Sequence, residues 1–373
     1  MFVPVNTPKL AGNEKKYLNE CIDTGWISSE GPFVKKFEDL FAGQMDRKFG
    51  ISVCNGTAAL EALVKALDIG PGDEVILPSM SIISCSGSIH KAGATPVVVD
   101  CDEKLFNMTA ELIEPVITEK TKAIMVVHTY GHPVDMDPII ELADKHKLLI
   151  IEDAAEMHGQ TYKGKKCGSF GIASIFSFYP NKHVTTGEGG MILCDDEFLA
   201  MKCQGQRNLC FQAHQRFVHE ELGSNFRFTN LQAAVGLAQL EQLEAFVVQK
   251  RKMGNRYLEA FKDLSMVSLP LKSTDYSENI YWVFPLVLSD SYPLKAIDVM
   301  KKLGERKIGC RPFFYPVHKQ PCFVKEGMYE GISCPVSEKL YEQGFYIPSG
   351  LGMSDEEQEY VITNVREVLN ENI

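Results

Sequence analysis

Three short stretches of the chain hold side chains able to do chemistry. CNGTAAL (54–60) presents Gly56 and Thr57, IIEDAAE (150–156) presents Asp153 and Glu156, and SFYPNKHVTTGEGG (177–190) presents Lys182 just before a cluster of glycines. Each has an ordinary reading: a strand-to-helix turn with Thr57 as cap, one half of a core ion pair at Asp153, and a solvated turn at Lys182, where most lysines sit. Each also has a chemical one. A glycine lets the backbone approach an anion closely, and a helix N-terminus offers unpaired N–H groups to a phosphate. A carboxylate at the mouth of a buried strand is costly without a cationic partner, a metal or a protonated ring nitrogen. An amine held in a cleft is a nucleophile. The choice depends on whether the fold brings the three stretches together.

The elements that would position them are legible as short apolar runs alternating with helical patterns. Strands are expected at ISV (51–53), EVIL (74–77), PVVV (96–99), AIMVV (123–127), LLIIE (148–152), ASIFSF (173–178) and GMIL (190–193). Most lack polar alternation, as strands covered on both faces do. Leu60, Leu63, Val64 and Leu67 repeat along one face of an intervening helix. The alternation predicts an α/β fold with a mostly parallel seven-stranded sheet flanked by helices. After about residue 248 the pattern changes: a charged QKRKMGNRY, a polar loop STDYSEN (273–279), a strand IYWVFPLVL (280–288), a helix over 294–304, an extended GCRPFFYPVH (309–318) and a terminal helix from about 354. A chain of 373 residues favours two domains. We expect a large domain over 1–248 and a smaller C-terminal α/β domain over 249–373.

In an open parallel sheet, ligands bind beyond the carboxyl ends of the strands. Each of the three stretches follows an expected strand, so anion seat, acid and amine converge on one edge. Together they match what pyridoxal 5'-phosphate requires: a phosphate site, a carboxylate to keep the pyridine nitrogen protonated, and a lysine for the Schiff base. No GxxxxGK[ST] and no GxGxxG after a strand competes with this reading.

Bulk properties narrow the field further. A formal net charge of −11 argues against a nucleic-acid binder. No apolar run approaches the ~18 residues of a membrane span. The eleven cysteines form no CxxC pair and the N-terminus shows no basic region before a long apolar core, so a cytoplasmic protein is expected. His128 and His132 have a ligand-like spacing, but Gly131 and Pro133 make a helix there improbable; they read as strand-end and turn residues, and no metal is expected.

NGTAAL, IEDAAE, SFxxNKxxTTGEGG and NFRFTNLQAAVGLAQLEQLE, in this order, resemble the DegT/StrS family of nucleotide-sugar aminotransferases of fold type I. The resemblance runs from KLAGNEKKYLNECIDTGWISSEGPF to RPFFYPVH and the IPS near residue 348. It implies a transaminase that uses pyridoxal 5'-phosphate to move an amino group from L-glutamate to a nucleotide-linked keto sugar. WISSEGPFVKKFE, HTYGHPVDMDPI and TTGEGGM are most similar to members acting on the 4-keto carbon of a GDP-linked 4-keto-6-deoxyhexose, in deoxyaminosugar and surface polysaccharide biosynthesis. Carried over residue by residue, Lys182 would be the Schiff-base lysine and proton shuttle, Asp153 the partner of the pyridinium, and Glu156 would face the ring hydroxyl, where many relatives have Gln. Gly56, Thr57 and Ser177 would hold the phosphate. Asn225 would reach the phosphate of a neighbouring subunit, making the active unit a homodimer with shared sites, and Arg227, Arg311 and His318 would lie on the substrate side.

Two departures from the family pattern bear on sugar and nucleotide identity: Ile82 where an aromatic ring often covers the cofactor, with Gly87 where Asn is frequent, and the segment RNLCFQAHQRF. A UDP- or dTDP-linked sugar, or amination at position 3, stays open. The dehydratase branch, in which histidine replaces the lysine, is disfavoured because NKH aligns Lys182 with the family lysine. His183 should point to the opposite face. A non-catalytic regulator of this fold is disfavoured by the retention of Lys182, Asp153 and the phosphate seat together.

Overall fold

The computed structural model describes residues 1–212 and 214–371. Its strands in chain order are β1 (Phe49–Val53), β2 (Glu74–Pro78), β3 (Thr95–Val99), β4 (Thr121–Val127), β5 (Leu149–Asp153), a small hairpin of β6 (Thr161–Tyr162) and β7 (Lys165–Lys166), β8 (Ala173–Ser177), β9 (Gly190–Cys194), β10 (Val267–Ser268), β11 (Phe284–Leu288), β12 (Arg311–Pro312) and β13 (Gly344–Ile347). Seven of them form the central sheet in the order β1-β9-β8-β5-β4-β2-β3. The pairs from β8 across to β3 are parallel, and β9 alone runs antiparallel to both its neighbours. The expected mostly parallel sheet is therefore present.

The apolar runs have no polar face because each strand feeds two cores. In β4, Ala123, Met125 and Val127 point into one layer, with Leu60, Leu63 and Val64 of the helix Gly56–Ala66, while Ile124 and Val126 point into the other. In β8, Ile175 joins the first layer and Phe176 the second, where it packs against Phe41 at 5.0 Å between centroids. Burying each of the larger of these side chains contributes about 1.5–3 kcal/mol.

Register aligns the strand ends. Val127 lies opposite Asp153 and Asp153 opposite Ile175. Gly190, the first residue of β9, pairs with Ser177 on one side and Val53 on the other. A side chain at Gly190 would come within 2.5 Å of the Asn55 carbonyl oxygen, so only glycine lets β9 begin against the turn after β1. Gly190 thus serves close approach of two backbones.

The remaining four strands form a second, antiparallel sheet in the order β10-β11-β13-β12. Its core contains Tyr257, Phe284, Leu303, Phe345 and Val365. A separate cluster including Met80, Phe106, Tyr130, Trp282 and Phe313 lies between the two sheets. The charged QKRKMGNRY belongs to one continuous helix, Leu243–Phe261. Its Leu243 and Val247 pack in a core of the large sheet, and Met253, Tyr257 and Phe261 in that of the small one. A division at 248/249, which we retain as a proposal, would fall inside this helix.

Two extended segments differ from expectation. In 280–288 only Phe284–Leu288 is strand, because Tyr281 takes a left-handed backbone (φ 49°) and its N–H is held by Asn279 Oδ1 at 2.7 Å. In 309–318 only Arg311–Pro312 pairs with a neighbour, and Val317–Lys319 forms a 3₁₀ turn. The terminal helix, Asp355–Asn370, starts as expected, with Ser354 and Glu357 forming a reciprocal cap.

Candidate active site

The aligned strand ends open onto a cavity of about 780 Å³. Gly56, Thr57, Asp153, Glu156, Ser177 and Lys182 all line it. Six of the expected site residues, from three distant stretches, are thereby brought to one place.

At the β1 end, the cap of the helix Gly56–Ala66 is Asn55 and not Thr57: Asn55 Oδ1 accepts from the Ala58 N–H at 2.8 Å. Thr57 is exposed in the first helical turn. Asn55 also takes the Ala59 N–H through its carbonyl, which leaves the N–H groups of Gly56 and Thr57 at the mouth of the cavity. The Ser177 side chain faces this turn closely, since a Cβ on Gly56 would stand 3.0 Å from the Ser177 Cβ. N–H groups, a dipole and two hydroxyls make an anion seat.

At the β5 end, Asp153 is buried. Its Oδ1 accepts from the Ala155 N–H at 3.1 Å and its Oδ2 from the thiol of Cys85 at 3.2 Å. Burial raises its pKa; the Ala155 N–H, the Cys85 thiol and the Lys182 amine pull the other way. Glu156 is buried as well, with Oε2 accepting from the Tyr130 N–H at 2.7 Å, and desolvation pushes its pKa up to about 8. Near neutral pH Glu156 is thus mostly a carboxylic acid, able to donate a proton in a hydrogen bond as a glutamine amide would.

Lys182 sits in a tight turn, its N–H bonded to the Tyr179 carbonyl at 2.9 Å. Its Nζ lies 3.9 Å from the ring centroid of Trp282, whose Nε1–H donates to the Asn181 carbonyl at 3.0 Å. Desolvation lowers the amine's pKa, opposed by Glu156 and Asp153. An amine displaced toward neutrality is the form a base or nucleophile needs.

The other expected residues lie elsewhere in the chain. Asn225 is exposed and does not line the cavity of its own chain, although the adjacent Phe226 does. Arg227 bonds Asn208 Oδ1 at 2.8 Å, and Arg311 is exposed on β12. His318 is buried, with Nδ1 2.7 Å from Ser79 Oγ and Nε2 2.9 Å from Glu338 Oε1. Among the described residues Lys182 is the one lysine or arginine lining the cavity. Ile82 lines it too, and aromatic cover comes from Trp282, Phe314 and Tyr346.

Cys85 and Trp282 escaped the sequence reading. A thiol inside SIISCSGSI carries no pattern, and Trp282 reads as core in a strand until the turn at Tyr281 swings it toward the large sheet. His128 follows β4 as expected. Its Nδ1 accepts from the Val134 N–H at 3.0 Å and its Nε2 bonds Glu152 Oε1 at 2.8 Å. Glu152 also receives the N–H groups of Gly168 and Phe170, so within the cluster His128, Glu152 and Cys167 the imidazole and the carboxylate are committed to internal bonds. His132 is held between Ser277 Oγ and the Leu271 carbonyl, both at 2.9 Å. His183 is buried and does not line the main cavity.

The DegT/DnrJ/EryC1/StrS aminotransferase family model matches residues 8–366. The chain is 40% identical to the GDP-perosamine synthase of Escherichia coli O157:H7 over 366 residues, covering 98% of each protein. It is also 40% identical to the GDP-perosamine synthase of Caulobacter vibrioides over 368 residues, again covering 98% of each. The aminotransferase TlmJ of Streptoalloteichus hindustanus superposes with a TM-score of 0.92 over all of both chains at 28% identity.

Proposed function

The chain belongs to the DegT/DnrJ/EryC1/StrS aminotransferase family of pyridoxal 5'-phosphate enzymes, and on that premise we propose that it transfers the amino group of L-glutamate to the 4-keto carbon of a GDP-linked 4-keto-6-deoxyhexose. The observation that carries the reading is the meeting of Lys182, Asp153, Glu156 and the Gly56 helix terminus around one cavity. Identity of 40% to GDP-perosamine synthases over 98% of each protein supports the choice of nucleotide and ring position.

The cavity fits the cofactor. Gly56, Thr57 and Ser177 would hold its phosphate, Asp153 would keep the ring nitrogen protonated, Glu156 would donate to the ring-hydroxyl oxygen, and Lys182 would anchor it covalently. When bound, pyridoxal 5'-phosphate supplies an electron sink for negative charge at the reacting carbon. Lys182 Nζ takes the proton from the glutamate α-carbon and, in the second half-reaction, handles the proton at the amino-bearing carbon of the sugar. Its desolvated position favours the neutral, basic amine. Trp282, Phe314 and Tyr346 limit water at the ring.

We further propose a cytoplasmic homodimer. An anion seat lined, among the described residues, by Lys182 as its one lysine or arginine leaves a dianionic phosphate short of donors in a single chain, and the exposed Asn225 is available to offer its amide N–H groups to a partner. Arg227 and Arg311 remain substrate-side candidates on the same ground, and His318 would act there only by releasing Ser79 or Glu338. Among the described residues every cysteine is free, as suits a reducing compartment, and no helix is long and apolar enough to cross a membrane.

The test is to convert the bound cofactor to its amino form with glutamate, remove the glutamate, and add a panel of nucleotide-linked keto sugars while following cofactor absorbance. Restoration of the starting spectrum by the GDP-linked 4-keto-6-deoxy sugar is expected. Restoration only by a UDP, dTDP or 3-keto compound would reassign the substrate, and no response to glutamate would remove the transaminase reading.

A further inference from the structure

Lys250 is an unusual lysine. It sits mid-way along the helix Leu243–Phe261 with 3% exposure, and no carboxylate partners it among the described residues. Lysine is almost never buried this fully without an acid. Its Nζ instead donates to two main-chain carbonyls, those of Trp282 at 2.9 Å and of Ser349.

The two carbonyls are related. β11 and β13 pair with Phe284 opposite Ile347, and counting back two residues on one strand and forward two on the other puts Trp282 opposite Ser349. Lys250 therefore joins the two strand extensions just where their ladder has ended. The turn at Tyr281 is pressed on the same helix, since a Cβ on Gly254, one turn beyond Lys250, would lie 2.4 Å from the Tyr281 ring. A side chain there would push the segment away from the helix.

From Trp282 the path to the site is one contact long. The indole N–H is tied to the Asn181 carbonyl, and the ring lies over Lys182 Nζ. Trp282 also stacks with Tyr130 at 6.0 Å and 24°. Lys182 and Lys250 also line one void of about 10 Å³, with Asn181 and His183. We infer that Lys250 is a positioning residue for the reaction: by clamping the Trp282 main chain it fixes the indole over Lys182 Nζ and so sets the direction in which the reactive amine points. Burial lowers the Lys250 amine to about 7. The clamp does not depend on charge, because a neutral amine keeps two N–H donors, the number the two carbonyls use.

The inference rests on Lys182 being the reactive amine, and the experiment separates the two. Lys250→Met, Trp282→Phe and the double variant are compared by glutamate half-reaction kinetics. In the cofactor-free proteins, the pH dependence of covalent capture of pyridoxal 5'-phosphate is measured by absorbance. Lys250→Met should slow the half-reaction about tenfold with the KM for glutamate within about twofold. It should also shift the pH midpoint of capture by about half a unit. In the Trp282→Phe background Lys250→Met should add less than about twofold, because its effect passes through the indole. Unchanged kinetics and midpoint in Lys250→Met, or effects that multiply in the double variant, would overturn the inference while leaving Lys182 in place. Covalent capture by Lys182→Ala would instead overturn the assignment of Lys182, and this inference with it. Should Lys250→Met not fold, Lys250→Ala, which also removes both donors, carries both comparisons, with the same results deciding.

Discussion

Asp153 accepts a hydrogen bond on its Oδ2 from the thiol of Cys85 at 3.2 Å, with both residues buried. The thiol's own pKa is pushed well up by burial, so it remains a donor across the working pH range. Asp153→Asn should retain cofactor, since the phosphate seat and Lys182 are untouched, yet slow proton abstraction by about 10²-fold or more, because an amide cannot keep the ring nitrogen protonated. Thermal unfolding should occur at the same temperature or higher, as a costly buried carboxylate is removed. Single-turnover kinetics with glutamate and a melting curve check both halves; a wild-type rate would take Asp153 out of its role.

Lys182→Ala should abolish turnover, by about 10²–10⁴-fold or more, with the fold intact. The amine's environment is organised around its chemistry: it lies in a cavity, its pKa is lowered by desolvation, and its bonding within the turn is through the backbone. Steady-state rates beside circular dichroism test this. Loss of fold together with loss of activity would point to a packing role.

Glu156 gives a pH prediction. Its carboxyl, ordinarily near 4.5, titrates at about 8 in the folded cofactor-free protein. Between these values the unfolded chain releases a proton that the folded protein keeps. Its contribution therefore lowers stability progressively as pH rises from about 4.5 to about 8 and then levels off. Glu156→Gln should flatten that slope and be more stable than wild type above pH 8, by on the order of a few kcal/mol. Urea unfolding across pH measures it, and parallel profiles for the two proteins would refute it.

Asn225→Ala should weaken cofactor retention through a neighbouring subunit. Mixing inactive Lys182→Ala with Asn225→Ala by refolding should restore about a quarter of the sites, since half of randomly paired dimers are mixed and each mixed dimer holds one intact site. No recovery, with mixed dimers demonstrated, would confine the site to one chain.

Gly190→Ala should loosen the phosphate seat from behind. The new methyl would meet the Asn55 carbonyl oxygen at 2.5 Å, so β9 or the Asn55 turn must move, at about 1–3 kcal/mol. Dialysis against cofactor-free buffer should strip the variant faster than wild type. Equal retention would mean the sheet absorbs the methyl elsewhere.

The large sheet was legible because its strands are doubly buried, and double burial leaves an unbroken apolar run that composition alone reveals. Asp153 and Lys182 were legible for the converse reason: a charge at the end of such a run has no bland explanation that also accounts for its neighbours. Trp282 was hidden because one left-handed residue, Tyr281, breaks a run that looks extended throughout. Cys85 was hidden because its significance lies wholly in a partner far along the chain. Asn55, not Thr57, caps its helix because the helix begins at Gly56, two residues earlier than a Thr57 cap requires. Side chains that act through a distant neighbour leave no spacing to read.

The reversed direction of β9 has a mechanical consequence. The segment from Ser177 to Gly190 leaves and re-enters the sheet at the same rim, cross-linked within itself by Phe178 to Gly189 and Thr186 to Phe178 backbone bonds at 2.8 and 3.0 Å. How far the amine projects is therefore metered by how many residues the excursion contains. One inserted residue would lengthen it by about 3.3 Å, well beyond the tolerance of a hydrogen bond. Residue count, more than residue identity, is what this hinge-free arc has to conserve.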